Sequence, residues 1–476
     1  MSLELLGFRI LAPHFGNSIY VWGSLIGLVL AALAGGYYFG GWLADNKRAD
    51  IGLILKLYGT AALFLLFDLF SYQAILKCLG EKSIILGSFL AAAAIFLTPM
   101  VVLAAVSPIV IKILSEQEKT GRSAGLVYAW GTIGSILGTF LTAFILIPFL
   151  GSRLTFYICF FLALVIIAII FILRDWKKSF FAVLVLLISL FSLVSEKLPA
   201  NVILQTESAY NQIRLVDKGK FIALTLNSQQ SELSQSGYVK EGTLIDLSLI
   251  DLFNVGLLVA PVKDLLVLGM SGGASVRQFQ EFFPSVNIDA VEIDPKIIAI
   301  ARDRFGVEEG KNLKIFEADA RPFLAASDKK YDMIEIDLFQ GSPYIPFYVL
   351  TQEFFQSAAS RLNEKGLIMM NIYAPGKKDI LAPILATMGS VFASVFTIPI
   401  NDNQVVLATR SETNLGQIKE QIQKYQTGVS PKLKLATDYA LTFLEEYKSN
   451  KKTPIFTDDW APVELLTYRM LKGLKL

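Results

Sequence analysis

The chain has 476 residues, is 54% hydrophobic and only 18% charged, and carries a formal net charge of +2. It is long enough for two or three domains and too apolar for an ordinary soluble protein, and so small a net charge, with no basic run interleaved with aromatics, sets nucleic acid aside as a partner. A single histidine, His14, and two cysteines, Cys78 and Cys159, leave no means for Ser-His-Asp hydrolysis, HExxH zinc chemistry, a disulfide framework or a CxxC metal site in the C-terminal half.

The apolar residues are concentrated before residue 197. A transmembrane helix needs roughly 20 of them in succession, and six segments meet that test: 19–43, 51–72, 84–113, 123–149, 153–173 and 178–196. The opening MSLELLGFRILAPHFG is too short and too charged to cross alone and predicts an interfacial or re-entrant helix. Small residues recur at helix-contact spacing in Gly36-Tyr-Tyr-Phe-Gly40 and in Gly134-Ser-Ile-Leu-Gly138, the pattern of close helix crossings. Lys47, Arg48 and Lys56, then Lys112, Lys119 and Arg122, then Arg174, Lys177 and Lys178 fall in alternate loops, which the positive-inside rule assigns to the cytoplasm.

Beyond this helical membrane domain, 1–196, the composition is that of a globular protein. The runs QIRLV and KFIALTLN predict a small β unit in 197–262, followed by a helix near 242–258. Strands are then expected at 264–269, 287–293, 313–317, 331–337, 366–372, 393–398 and 404–409, separated by helix-length segments. That alternation predicts an α/β Rossmann-like domain, of the class I methyltransferase type, over 263–476 with a parallel sheet.

Each of the first four strands ends in a small or acidic residue, and ligands of open α/β sheets bind at such ends. Gly269-Met270-Ser271-Gly272-Gly273 follows the first strand and opens a helix, so its backbone N–H groups face a ligand's polar end. Glu292 closes the second strand, where a carboxylate accepts both ribose hydroxyls. Asp319, after the third, is placed to accept from an adenine amino group. Asp337 closes the fourth, beside whatever the nucleoside presents, and a carboxylate there can hold or deprotonate an attacking amine. The stretch Phe339-Gln340-Gly-Ser-Pro-Tyr344-Ile-Pro-Phe347 supplies aromatic lining for an acceptor pocket.

These motifs resemble the spermidine synthases, or polyamine aminopropyltransferases, and especially their membrane-fused relatives. The resemblance runs from Glu207-Ser-Ala-Tyr210 through Gln230, the glycine turn, VEID (291–294), EADAR (317–321), YDMIEID (331–337) and TQEFF (351–355) to TDDWAPVE (457–464). In the first half it includes SIYVWGSLIG, GGWLAD, AAVSPIVIKIL and YAWGTIGSILGTFLTAFILIPFLG. It implies aminopropyl transfer from decarboxylated S-adenosylmethionine to a polyamine or other amine, releasing methylthioadenosine. It further implies that Glu292 binds ribose, that Asp319 with Ala320 reads adenine, and that Gln230 and Tyr210 line the donor and amine sites. Asp337 then assists amine attack, and no metal is required. The bilayer and the amine are the implied partners, in a homo-oligomer as in soluble relatives.

Two positions depart from the family pattern. The family's GGGDGG loop carries an acid where this chain has Gly272, and a second acid follows the first by three residues where this chain has Gln340. Both acids handle cationic amines, so their loss keeps open S-adenosylmethionine as the donor and a methyltransferase as the activity. A non-catalytic transporter or sensor gated by the nucleotide is the third reading. A cytoplasmic donor places the globular domain in the cytoplasm of a multi-pass cell-membrane protein, whereas six full crossings from cytoplasmic loops leave it outside. Either the opening segment or one of the six spans therefore does not cross as drawn.

Overall fold

The computed structural model describes residues 1–16, 18–79, 84–174, 199–227, 236–245, 247–339, 344–376, 380–426, 430–448, 450 and 452–472. The chain forms two compact units, Met1–Pro199 with Thr206–Ala209, and Ala200–Gln205 with Tyr210–Leu476.

Among the described residues of the first unit, four helical runs are long and apolar enough to cross a membrane: Ile19–Asn46, Ile51–Leu79, Ile85–Ser115 and Thr120–Ile170. The expected segments at 123–149 and 153–173 thus belong to one run. Its helical geometry breaks at Gly151, which has φ 79°, and at 51 residues the run exceeds two membrane thicknesses. The sixth expected segment, 178–196, lies outside the described residues. The opening residues form the helix Ser2–Phe15, whose Leu6, Leu11 and Phe15 are buried in the core of this unit. Gly36 and Gly40 make the close crossing that their spacing predicts, since a Cβ on either would fall within 2.5 Å of the backbone oxygens of Val101 or Ala105. Gly134 does not: a Cβ there meets nothing within 4 Å among the described residues.

After the apolar helices the chain forms a four-stranded sheet in the order β1 (Val202–Glu207), β2 (Gln212–Asp217), β3 (Phe221–Leu226), β4 (Ser236–Val239). The next helix is Leu249–Val259, starting later than the expected 242. The cause is a capping box, in which Asp251 N donates to Ser248 Oγ at 3.3 Å and Ser248 N donates to Asp251 Oδ2 at 2.9 Å. Nine of its residues are buried, because it packs on one face of the large sheet.

That sheet contains β5 (Asp264–Leu268), β6 (Asn287–Glu292), β7 (Leu313–Glu317), β8 (Tyr331–Ile336), β9 (Leu362–Tyr373), β10 (Ser394–Ile400), β11 (Asn403–Thr409) and β12 (Glu445–Glu446). Their order is β12-β10-β11-β9-β8-β5-β6-β7. The seven expected strands are all present. The expectation of a parallel sheet needs correction, since β11 runs antiparallel to both β9 and β10. A turn of two residues joins β10 to β11, and so short a link permits only a hairpin. Large apolar cores cover both faces, around Phe354, Phe355 and Ile334 on one side and around Phe253, Phe279 and Met333 on the other. Two-sided burial is why β5 reads as an uninterrupted apolar run.

Candidate active site

The topology sets four strand ends in a row. β7, β6, β5 and β8 are parallel neighbours in that order, so the residues leaving their carboxyl ends are spaced by roughly 4.8 Å per strand. From β5 the chain moves outward to β6 and β7 and then crosses back to β8 on the other side. This is the reversal at which open α/β sheets bind ligands.

The glycine turn is fastened to both neighbouring strands. Gly269 has φ 87°, and a Cβ there would lie 2.3 Å from the carbonyl oxygen of Asp337, so this position requires glycine and abuts the end of β8. Gly269 N and Met270 N both donate to Val291 O, at 3.0 and 3.1 Å. Ser271 adopts φ 49°, a left-handed conformation uncommon for a side-chain-bearing residue. Its N–H donates to Glu292 Oε2 at 2.8 Å. Gly273, with φ 75°, caps the helix Ala274–Phe282.

Glu292 also accepts from Asp294 N at 3.1 Å through Oε1. Burial pushes its carboxyl up to about 7, against the backbone N–H groups of Asp294, Ser271 and Ile293 that draw it down. Asp294 in turn caps the helix Pro295–Phe305 and accepts from Asn211 Nδ2 at 2.9 Å. Asn227 donates to Asn211 at 2.7 Å, so the small sheet is tied to the end of β6. Asp319 caps the helix Ala320–Ala326, accepting from Arg321 N at 3.0 Å, and Ala320 is buried as its first residue.

Asp337 is fixed by Asn371, whose Nδ2 donates to Oδ1 at 3.0 Å. Burial pushes the Asp337 carboxyl up to about 6, and the Asn371 amide draws it back. A small cavity of about 10 Å³ brings together Gly269, Ser271, Ser275, Glu335 and Asp337. Of the expected site residues, Gly269, Ser271 and Asp337 line this cavity, and Glu292 joins it through the Ser271 N–H. Asp319 and Ala320 follow the outermost strand, β7. Tyr210 is 45% exposed in the turn between β1 and β2, and Tyr344 is buried. Gln230 and Gln340 lie outside the described residues.

Gly272, where the family pattern has an acid, has no room for any side chain. A Cβ there would lie 2.6 Å from the Phe305 ring and 3.0 Å from Ser236 Oγ. Phe305 is itself held by stacking on Tyr238 at a centroid distance of 5.6 Å.

Three of the sequence motifs converge on a clasp beside the site. Arg321 grips Asp458 with both terminal nitrogens and donates to Tyr348 O at 2.9 Å. Thr351 Oγ1 donates to Asp458 at 2.7 Å, and Asp458 N donates to Glu353 at 3.0 Å. EADAR, TQEFF and TDDW are thus joined by one charged network, which raises Arg321 and lowers Asp458 relative to their ordinary values through their mutual hydrogen bonds.

Sequence reasoning passed over Glu335, Ser275 and Asn371. The signal for the first was present: a glutamate in the middle of YDMIEID, an otherwise buried strand. Burial pushes its carboxyl up to about 8, the Ser275 hydroxyl bonding to it draws it down, and Asp337 raises it further.

Comparison with known proteins is in keeping with this architecture. The family described as "Spermine/spermidine synthase domain" matches residues 250–420. A "Probable polyamine aminopropyl transferase" of Bifidobacterium longum (strain NCC 2705) is 29% identical over 287 residues, 56% of this chain and 62% of that protein. The "Polyamine aminopropyltransferase" of Vibrio vulnificus (strain CMCP6) is 26% identical over 296 residues, 60% of this chain and 97% of that protein. The human "eEF1A lysine and N-terminal methyltransferase" is 30% identical over 145 residues, 28% of this chain and 20% of that protein.

Proposed function

Because the C-terminal part of this chain is a spermine/spermidine synthase domain, we propose that it transfers an aminopropyl group from decarboxylated S-adenosylmethionine to a polyamine or another amine. The observation that carries the reading is Asp337: a buried carboxyl at the end of β8, fixed by Asn371 and packed against the glycine turn. The donor's ribose lies on Glu292, its adenine toward Asp319 and Ala320, and its sulfonium over Gly269 and Ser271. Tyr210 and Tyr344 line the amine side.

The sulfonium is already an activated leaving group, so the chain's task is to position the amine and take its proton. The amine's free pKa is roughly 10, and it must lose a proton to attack. Its nitrogen lone pair forms the new C–N bond at the carbon attached to sulfur. The C–S bonding pair passes to sulfur, giving neutral methylthioadenosine; the one proton that the ammonium sheds before attack goes to Asp337, and the newly bonded nitrogen keeps the positive charge as a secondary ammonium. A carboxyl raised to about 6 is mostly ionised at neutral pH yet more basic than an ordinary aspartate, which suits a general base.

The long apolar helices of the first unit support a membrane-anchored enzyme, with the globular unit on the cytoplasmic side where the donor is made. The acceptor is a soluble amine or an amine presented at the bilayer, and the protein assembles as a homo-oligomer.

A methyltransferase is the second reading, favoured by the stretch shared with the human methyltransferase and by the missing acid at Gly272. The two are separated by mass spectrometry of the full-length protein incubated with each donor, a polyamine panel and native lipid extract. Methylthioadenosine formed by the wild type and not by Asp337→Asn supports aminopropyl transfer. S-adenosylhomocysteine in its place overturns it. Donor binding without either product favours a nucleotide-gated transporter or sensor.

A further inference from the structure

Glu335 is a charged residue in the interior of a central strand, only 1% exposed. It stands two residues before Asp337, and in a strand such residues project from the same face. Both line the same cavity beneath the glycine turn. We infer that Glu335 receives the ammonium end of the donor's aminopropyl side chain in this cavity, supplying from within β8 the counter-charge that the glycine loop and the 340 position lack. This inference rests on the function proposed above and specifies how that site recognises its donor.

The lining is suited to a small cation. A cavity of about 10 Å³ accommodates one water-sized group, such as a water or a terminal ammonium. Among the described residues, Glu335 Oε2 and Ser271 Oγ are buried without a hydrogen-bond partner, while Ser275 bonds to the Glu335 carboxyl. An ammonium has three N–H donors and no acceptor, so it satisfies this acceptor-rich lining. A buried carboxyl without a counter-ion is costly to keep ionised. In the absence of a cation, burial accordingly pushes Glu335 up to about 8. A bound ammonium restores the ionised form.

The same geometry accounts for the glycine at 272. Phe305 fills the space above the loop, so an acid cannot approach the donor from that side, and the strand beneath provides it. It also selects between donors. Intact S-adenosylmethionine carries a carboxylate on the carbon that bears its ammonium and would bring that charge close to Glu335 and Asp337. The decarboxylated donor brings only the ammonium.

The test is titration calorimetry on the full-length protein in detergent, with decarboxylated S-adenosylmethionine, S-adenosylmethionine and methylthioadenosine as probes. Wild type is compared with Glu335→Gln and Glu335→Asp. Methylthioadenosine shares the nucleoside but lacks the aminopropyl tail. Glu335→Gln is expected to weaken the decarboxylated donor by about tenfold to a hundredfold, the range of a lost charged hydrogen bond, and to leave methylthioadenosine unchanged. Glu335→Asp is expected to retain part of the preference. Equal affinity of wild type and Glu335→Gln for the decarboxylated donor overturns the inference while leaving the nucleoside site intact. Parallel loss of both ligands also overturns it, marking Glu335 as a support of the fold. No binding of methylthioadenosine by the wild type removes the proposed function itself, and the inference with it.

Discussion

The ring of Phe305 lies where a side chain on residue 272 would have to go, 2.6 Å from the position of a Cβ on Gly272. The glycine there is a steric consequence of the neighbouring helix end. Replacing it with the acid of the family pattern displaces Phe305 from its stack on Tyr238.

Gly272→Asp is therefore expected to destabilise the globular unit by about 1–3 kcal/mol, the usual cost of overpacking a filled site, with no gain in donor binding. Thermal unfolding of the single variant and of Gly272→Asp with Phe305→Ala checks this. The second change makes room, so the double variant should be less unstable than the two losses added together.

Asp337→Asn is expected to lower the transfer rate by about 10²–10⁴-fold, as for a lost general base, with methylthioadenosine affinity nearly unchanged. In the wild type the base must be ionised, so the rate should fall as the pH drops through about 6, the raised value that burial imposes on Asp337. A pH–rate profile flat from 5 to 8 would remove Asp337 from the proton path.

Glu335 links the site to stability with a definite sign. Its carboxyl is pushed up to about 8 in the folded chain, against roughly 4.3 in the unfolded chain. Between those values the folded state holds a proton that the unfolded state has released, so this residue lowers stability as the pH rises through that window. Glu292 and Asp337, raised to about 7 and about 6, act in the same direction over narrower windows. Glu335→Gln should raise the melting temperature at pH 8, by about 2–4 °C for each kcal/mol relieved, and change it little at pH 4.5. Equal shifts at both pH values would assign the effect to packing.

Asp458→Ala should release the clasp on Arg321, Thr351 and Glu353 at a cost of about 1–2 kcal/mol. Limited proteolysis of the residues after 452 should accelerate, with methylthioadenosine binding retained. Loss of binding would mean that the clasp also shapes the nucleoside site.

The strands at 264–269, 287–293, 313–317 and 331–337 were legible because strands buried on both faces read as apolar runs that stop at a glycine or an acid. The pairing direction of β11 was not legible, since periodicity carries no sense of direction. The start of the helix at Leu249 was fixed by the reciprocal Ser248–Asp251 bonds, a signal hidden inside the longer apolar stretch. The glycine turn and the acids at 292 and 337 could be read from the sequence alone. The contact of Phe305 with Gly272 and the clasp of Arg321 with Asp458, 137 residues apart, exist only once the sheet order brings distant segments together. Glu335 could be read as an anomaly in a buried strand, but only the cavity it shares with Asp337 gives it a use.

The most direct test of the central claim is the affinity of methylthioadenosine for the wild type and for Glu292→Gln, measured by titration calorimetry on the full-length protein. Glu292 holds the Ser271 N–H and closes the strand on which the ribose is proposed to rest. The account predicts binding by the wild type and a loss of at least about tenfold in the variant, the size of one charged hydrogen bond. Equal affinity in both proteins would contradict it, placing the nucleoside away from the ends of β5 and β6.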